Sequence, residues 1–249
     1  MSALPTESGV KQLPLFGVRT GFSRSGPAEA GPHTLDVHAI SIPVLAFTGD
    51  FYATHRYEDR LWFALGDVAG HGISAAIVMA MIQEELEHRI RSCAITRCDP
   101  SATMGRLHEF LRPLVPNNRF ATVVIGHLLD DGTLRIANAG HCPPLILRRD
   151  GTIASIASTG PVIGMLSEAR WSTATTRLEP GETLVLYSDG LVEARSADGV
   201  EFGVGGLKNV LQQPPGAAAV TLAAEILDAV ERHTGGVRHD DLTLVVVRR

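Results

Sequence analysis

Leu61-Trp62-Phe63-Ala64-Leu65-Gly66-Asp67-Val68-Ala69-Gly70-His71-Gly72-Ile73 reads as a buried strand that stops on a carboxylate, turns through glycines and starts a helix. The apolar run Leu61–Leu65 is strand-like. Gly66, Gly70 and Gly72 permit a turn that other residues resist. Ile73, Ile77, Ala80, Met81, Glu84 and Leu86 then keep helical period, and the small residues Ala75, Ala76 and Ala80 allow close packing. The free amides of such a helix start favour an anion. Read alone, the segment is equally a βα turn in which Asp67 makes local hydrogen bonds.

Working outward, the same device recurs. Ile42–Gly49 ends on Asp50, Thr183–Ser188 ends on Asp189, and Asp240-Asp241 precede the apolar run Leu242–Val247. Each Asp-Gly or Asp-Asp is an ordinary turn or strand end when taken singly. As a set they point elsewhere. A carboxylate at the end of a buried strand is costly unless a positive group meets it. Four such groups brought together repel one another, and a pair of divalent cations relieves that repulsion.

The order of the remaining elements predicts an α+β fold with mainly antiparallel sheets. Strands are expected over 34–47 and 60–65, a long helix from Gly72 or Ile73, and a second helix after Asp99-Pro100-Ser101 to about Leu114. A meander follows: 120–129, a turn at Asp130-Asp131-Gly132, 133–137, 145–147, 152–156 and 183–187. Helices over 205–212 and 220–233 precede the closing strand, 242–247. Helices therefore come in pairs and strands in hairpin-linked groups, which two packed sheets with helix pairs outside accommodate. Residues 1–33, rich in Pro and Gly, read as a partly ordered leader, and 34–249 as one domain.

The 249 residues are 45% hydrophobic and 20% charged, enough for a substantial core. A net charge of −5 disfavours a general nucleic-acid binder. No apolar run approaches the ~20 residues that span a bilayer. A cytoplasmic protein with neither nucleic-acid nor membrane partners is expected. Cys93, Cys98 and Cys142 are odd in number and have no zinc-ligand spacing, so all three are expected as reduced thiols.

Gly49-Asp50-Phe51-Tyr52, Gly66-Asp67-Val68-Ala69-Gly70-His71-Gly72, Asn138-Ala139-Gly140-His141, Tyr187-Ser188-Asp189-Gly190-Leu191 and Asp240-Asp241-Leu242-Thr243 stand in the order of the SpoIIE-type metal-dependent protein phosphatases. The chain resembles this bacterial branch of the PPM phosphatases over about residues 35–249. The resemblance implies an α-β-β-α sandwich with a two-metal site at one end of the sheets. It implies hydrolysis of phosphoserine or phosphothreonine on a protein, with a phosphorylated STAS-type anti-anti-sigma factor or similar switch protein as substrate. By motif, Asp50 and Asp67 hold the metal pair, Asp67 bridging, with the Val68 backbone carbonyl as a further ligand. Asp189 and Asp240 complete one shell, and Asp241 is the alternative to Asp240 if the motif slips by one residue.

An all-oxygen donor set suits Mg²⁺ or Mn²⁺ better than Zn²⁺. Two such ions ~3.5–4 Å apart can activate a water for in-line attack on phosphorus. No cysteine nucleophile is then required, and Cys142 is expected to be dispensable. His71 has two readings: proton donor to the leaving alkoxide, or a turn histidine at the helix start. His141 is expected to pack or lock its turn. Thr48 and Ala53 depart from the family pattern, which commonly has Gly and an acid at those positions. A phosphatase-fold module that has lost turnover and regulates by docking is the alternative reading of the whole chain.

Overall fold

Alternation along residues 60–68 divides the molecule into layers. Leu61, Phe63 and Leu65 enter one buried cluster, and Trp62, Ala64 and Val68 enter another. A strand with both faces apolar must be covered on both sides.

The computed structural model describes residues 35–44, 48–57, 59–70, 72–96, 98–115, 119–212 and 218–249, with residues 93–96 by backbone alone. The expected leader, 1–33, and His71 lie outside the described residues. In chain order the elements are β1 (Asp36–Ile42), β2 (Phe51–Tyr57), β3 (Arg60–Val68), α1 (Ile73–Thr96), α2 (Pro100–Leu111), β4 (Ala121–Leu129), β5 (Thr133–Ala139), β6 (Leu145–Leu147), β7 (Ile153–Ser155), β8 (Ala174–Arg177), β9 (Thr183–Tyr187), α3 (Asp189–Val192), α4 (Gly203–Leu211), α5 (Ala219–Thr234) and β10 (Leu242–Arg248).

The strands form two five-stranded sheets, β1-β10-β9-β6-β7 and β2-β3-β4-β5-β8. Every pairing within them is antiparallel. Between the sheets lie Phe63, Leu65, Val124, Ile136, Leu186 and Val245. On the outer face of the second sheet, Trp62, Val123 and Ile125 meet Ile82, Leu86 and Ile90 of α1 and Met104 and Leu107 of α2. On the outer face of the first, Val185, Tyr187 and Leu244 meet Leu207 of α4 and Ile226 and Val230 of α5. The result is the expected α-β-β-α sandwich. Among the described residues no helix is long and apolar enough to cross a membrane.

Several boundaries differ from the sequence reading. β1 stops at Ile42, before Pro43, whose missing N–H ends the ladder. Residues 51–57, between the two strands expected over 34–47 and 60–65, form a further full strand, pairing Phe51 with Gly66 and Tyr57 with Arg60. Its polar second half, Thr54-His55-Arg56, hid the alternation of Phe51 and Ala53. β8 was also missed, because its sequence, Ala-Thr-Thr-Arg, is a polar edge strand without apolar signal. The expectation of three reduced thiols is corrected: Cys98 is disulfide-bonded, whereas Cys142 is free. An odd cysteine count leaves room for one pair.

His127 on β4 illustrates how the core constrains protonation. It is 2% exposed, meets Trp62 edge-on at 4.7 Å, and its Nδ1 has no hydrogen-bond partner among the described residues. Burial, reinforced by Arg60 and Arg135, lowers its pKa from 6.5 to about 4. The unfolded chain thus binds this proton first on acidification, so the native state loses stability as pH falls from about 6.5 towards about 4, and the loss levels off below that. Its size is up to roughly 3 kcal/mol. His127→Gln should flatten the slope of urea-unfolding free energy against pH in that window. An unchanged slope would place the effect elsewhere.

Candidate metal centre

The antiparallel pairings bring the acids together. Asp67 lies at the C-terminal end of β3, and Asp50 immediately precedes β2, its neighbour. In the facing sheet Asp189 follows β9 and Asp240-Asp241 precede β10, again neighbouring strands. Acids that are up to 191 positions apart therefore occupy the same end of both sheets.

Two close approaches build this end. Gly49 carries no Cβ, and one placed there would come within 2.8 Å of Asp67 Oδ1 and 3.1 Å of the Val68 carbonyl oxygen. Those two oxygens thus project onto one shared space. At Gly190 a Cβ would lie 2.2 Å from the Asp241 carbonyl oxygen and 3.1 Å from Asp240 Cβ. The turn after Asp189 can press against the turn before β10 only because residue 190 is glycine.

Ser188 and Thr243 knit these turns. The Ser188 N–H donates to the Thr243 carbonyl at 2.9 Å, the Thr243 N–H donates to Ser188 Oγ at 2.9 Å, and Ser188 Oγ donates to the Asp241 carbonyl at 3.2 Å. Sequence reasoning did not single out either hydroxyl. The signal was present in the serine before Asp189 and the threonine after Leu242. Across the cleft, Thr48 Oγ1 accepts the Asp50 N–H at 2.9 Å and so stabilises the turn where the family commonly has glycine. Ala53 packs in the core beneath the helices.

The electrostatics are those of crowded anions. Asp50 is 5% exposed, and its buried Oδ2 has no hydrogen-bond partner among the described residues. Burial first, then the charges of Asp67 and Asp241, push its pKa up to about 8, although the Thr243 and Ser188 hydroxyls offset part of the rise. Burial and the charges of Asp189, Asp240 and Asp241 push Asp67 up to about 7. Asp240 is raised by burial and by Asp189 and Asp241. A buried carboxylate oxygen, two further oxygens drawn together where the Gly49 loop approaches Asp67 and Val68, and a wholly oxygen donor set fit a hard divalent cation. Among the described residues no three His, Cys, Asp or Glu side chains are arranged to hold an ion as they stand.

Asp240 and Asp241 differ in freedom. Asp241 Oδ1 accepts the Val44 N–H at 2.8 Å and anchors the segment after β1. Asp240 is largely exposed, and its Oδ1 accepts the neighbouring Asp241 N–H at 2.8 Å. His141 is 5% exposed, with Nδ1 2.8 Å from Thr122 Oγ1. Its backbone is clamped on both sides by the Asn138 amide, at 2.8 and 3.1 Å. It locks the turn after β5, as expected. Burial, with the charges of Asp189 and Glu193, pushes the Cys142 thiol up to about 12, which leaves it a poor nucleophile.

A family model described as Stage II sporulation protein E (SpoIIE) matches residues 57–249. Phosphoserine phosphatase RsbU of Bacillus subtilis (strain 168) is 29% identical over 217 residues, covering 86% of this chain and 63% of that protein. The chain spans less than two thirds of the length of the curated relatives it matches. Among solved structures, the SiaA-PP2C domain of Pseudomonas aeruginosa superposes with a TM-score of 0.76 at 20% identity, covering 86% of this chain and 85% of that one. The catalytic domain of the serine/threonine protein phosphatase PstP, solved in complex with two manganese ions, gives 0.60 at 17% identity, covering 86% and 99%. These structures share the fold.

Proposed function

The chain belongs to the SpoIIE family, and from that premise we propose that it is a divalent-cation-dependent phosphatase acting on phosphoserine or phosphothreonine of a protein. Residues 34–249 form the catalytic domain in this reading, and residues 1–33 a leader. The observation that carries it is the gathering of Asp67, Asp189, Asp240 and Asp241, close enough for the last three to raise the pKa of the first, where Gly49 lets its loop approach Asp67 Oδ1 and the Val68 carbonyl.

Asp50, Asp67, the Val68 carbonyl, Asp189 and Asp240 would hold two Mn²⁺ or Mg²⁺ ions. Asp240 is preferred to Asp241 because Asp241 already engages Val44. Bound there, the ions supply Lewis acidity that activates a water and offsets charge on the phosphoryl group. The chain's own residues hold the donor oxygens in place: Ser188 and Thr243 fix the two acid-bearing turns of one sheet, and Thr48 fixes the turn of Asp50 in the other. His71, four positions after Asp67 in the sequence, is the candidate proton donor to the departing alkoxide. The Cys142 thiol has no part in the chemistry.

The name of RsbU supports a phosphoserine substrate, and the family resemblance supports a phosphorylated STAS-type anti-anti-sigma factor or similar switch protein in the cytoplasm. Ala53, standing where the family commonly carries an acid, favours a second reading, a docking module without turnover. Phosphate release from a phosphoserine peptide, with and without Mn²⁺, separates the two. Turnover that requires the ion supports the enzyme. Partner binding without turnover, indifferent to the ion, supports the module.

A further inference from the structure

A cleft of about 410 Å³ opens beside Asp240, lined by Gly190, Val230, Val237 and Arg238 among others. A second hollow of about 240 Å³ adjoins it, sharing Val230, Arg238 and Leu242 and reaching Ile42. The two make one groove that leaves the acid cluster between the end of α5 and the start of β10. The groove is built rather than incidental. Its floor, Val230 and Leu242, belongs to the core that joins α5 to the first sheet. Val237 presents an apolar wall that is 54% exposed.

Charge along the groove is uneven. Arg195, Arg238 and His239 line the end next to Asp240, opposed there by Glu193. Asp228 and Glu231 line the far end. Arg195 is already paired with Glu201 at 2.5 Å. Arg238 makes no ion pair among the described residues and lines both hollows, two residues from the candidate ligand Asp240. An arginine held beside an apolar wall has five donors in a planar fork suited to a carboxylate.

We propose that this groove receives the polypeptide flanking the phosphorylated residue, with Arg238 pairing an acidic side chain near the phosphoserine and Val237 packing a neighbouring apolar one. The inference rests on the phosphatase reading, because it places the phosphoryl group at the acid cluster and lets the chain run outward from it. Arg238 is then a residue that selects among phosphoproteins, and a small phosphoester has nothing to give it.

The test uses the full chain and two phosphoserine peptides that differ only in an acidic or a neutral residue near the phosphoserine, with an aryl phosphate as reference. Wild type should prefer the acidic peptide about tenfold in kcat/KM. Arg238→Glu should lose at least fivefold more on that peptide than on the aryl phosphate, chiefly through KM. A third peptide carrying lysine at the acidic position should recover most of the loss. Equal handling of the acidic and neutral peptides by wild type, or equal losses of Arg238→Glu on peptide and aryl phosphate, would overturn the proposal. Fluorescence anisotropy of the same labelled peptides gives a readout that needs no turnover. If wild type releases no phosphate from any substrate yet binds the acidic peptide in an Arg238-dependent way, the phosphatase reading fails and the groove stands. If it releases phosphate without peptide preference, the reverse holds.

Discussion

Asp67→Asn should abolish Mn²⁺-dependent phosphate release, with a fall in kcat of about 10³-fold or more, equivalent to roughly 4 kcal/mol of transition-state stabilisation. Asp67 is the acid most entangled with the others: Asp189, Asp240 and Asp241 all raise its pKa. Its Oδ1 shares the space over Gly49 with the Val68 carbonyl. Asparagine keeps the shape and one oxygen but loses the charge that a pair of dications requires. The same substitution removes repulsion within the cluster. The cation-free variant should therefore melt at or above the wild-type temperature. That pairing of outcomes distinguishes loss of the site from loss of the fold. A variant that keeps more than a tenth of wild-type turnover at saturating Mn²⁺ would remove Asp67 from the chemistry, and one that melts well below wild type would make its role structural.

The second large effect comes from a residue that bears no charge. Gly190→Ala places a Cβ 2.2 Å from the Asp241 carbonyl and 3.1 Å from Asp240 Cβ. Neither neighbour is a flexible side-chain tip, so backbone must give way. The expected cost is about 1–3 kcal/mol of stability, in the range of overpacking a tight core site. The displaced turn carries Asp240, and the Ser188 contacts to Thr243 and Asp241 tie both turns to one another. Apparent Mn²⁺ affinity, read from activity against ion concentration, should therefore weaken by at least tenfold. Ordinary stability and unchanged ion affinity in Gly190→Ala would show that the two turns are not held in the contact described.

Much of this was legible in the sequence because the signals are local. Leu61–Leu65 announces a strand with two buried faces, and Ile73–Leu86 announces a helix. Together with the hairpin turns, they limit the architecture to paired antiparallel sheets with outer helices. The acid set was also legible, since each member ends or begins an apolar run. What stayed hidden is non-local. β8 gains strand character from its neighbour rather than from apolar residues of its own, and in β2 the polar second half masks the buried Phe51 and Ala53. The value of Gly190 lies in a turn 50 residues further along the chain, although as part of an Asp-Gly pair it looked like an ordinary turn residue. The motif already put Asp240 ahead of Asp241; what it does not encode is the hydrogen bond from the Val44 N–H that engages Asp241. Ser188 and Thr243 acquire their role only when β9 and β10 lie side by side.

The central claim is that oxygens from both sheets jointly bind hard cations at this end of the sandwich. Anomalous diffraction from crystals soaked in Mn²⁺ addresses it most directly. The expected result is a pair of manganese peaks within ligating distance of Asp67, the Val68 carbonyl and Asp189. No peak at that end under saturating Mn²⁺, or peaks only at acids remote from it, would contradict the claim.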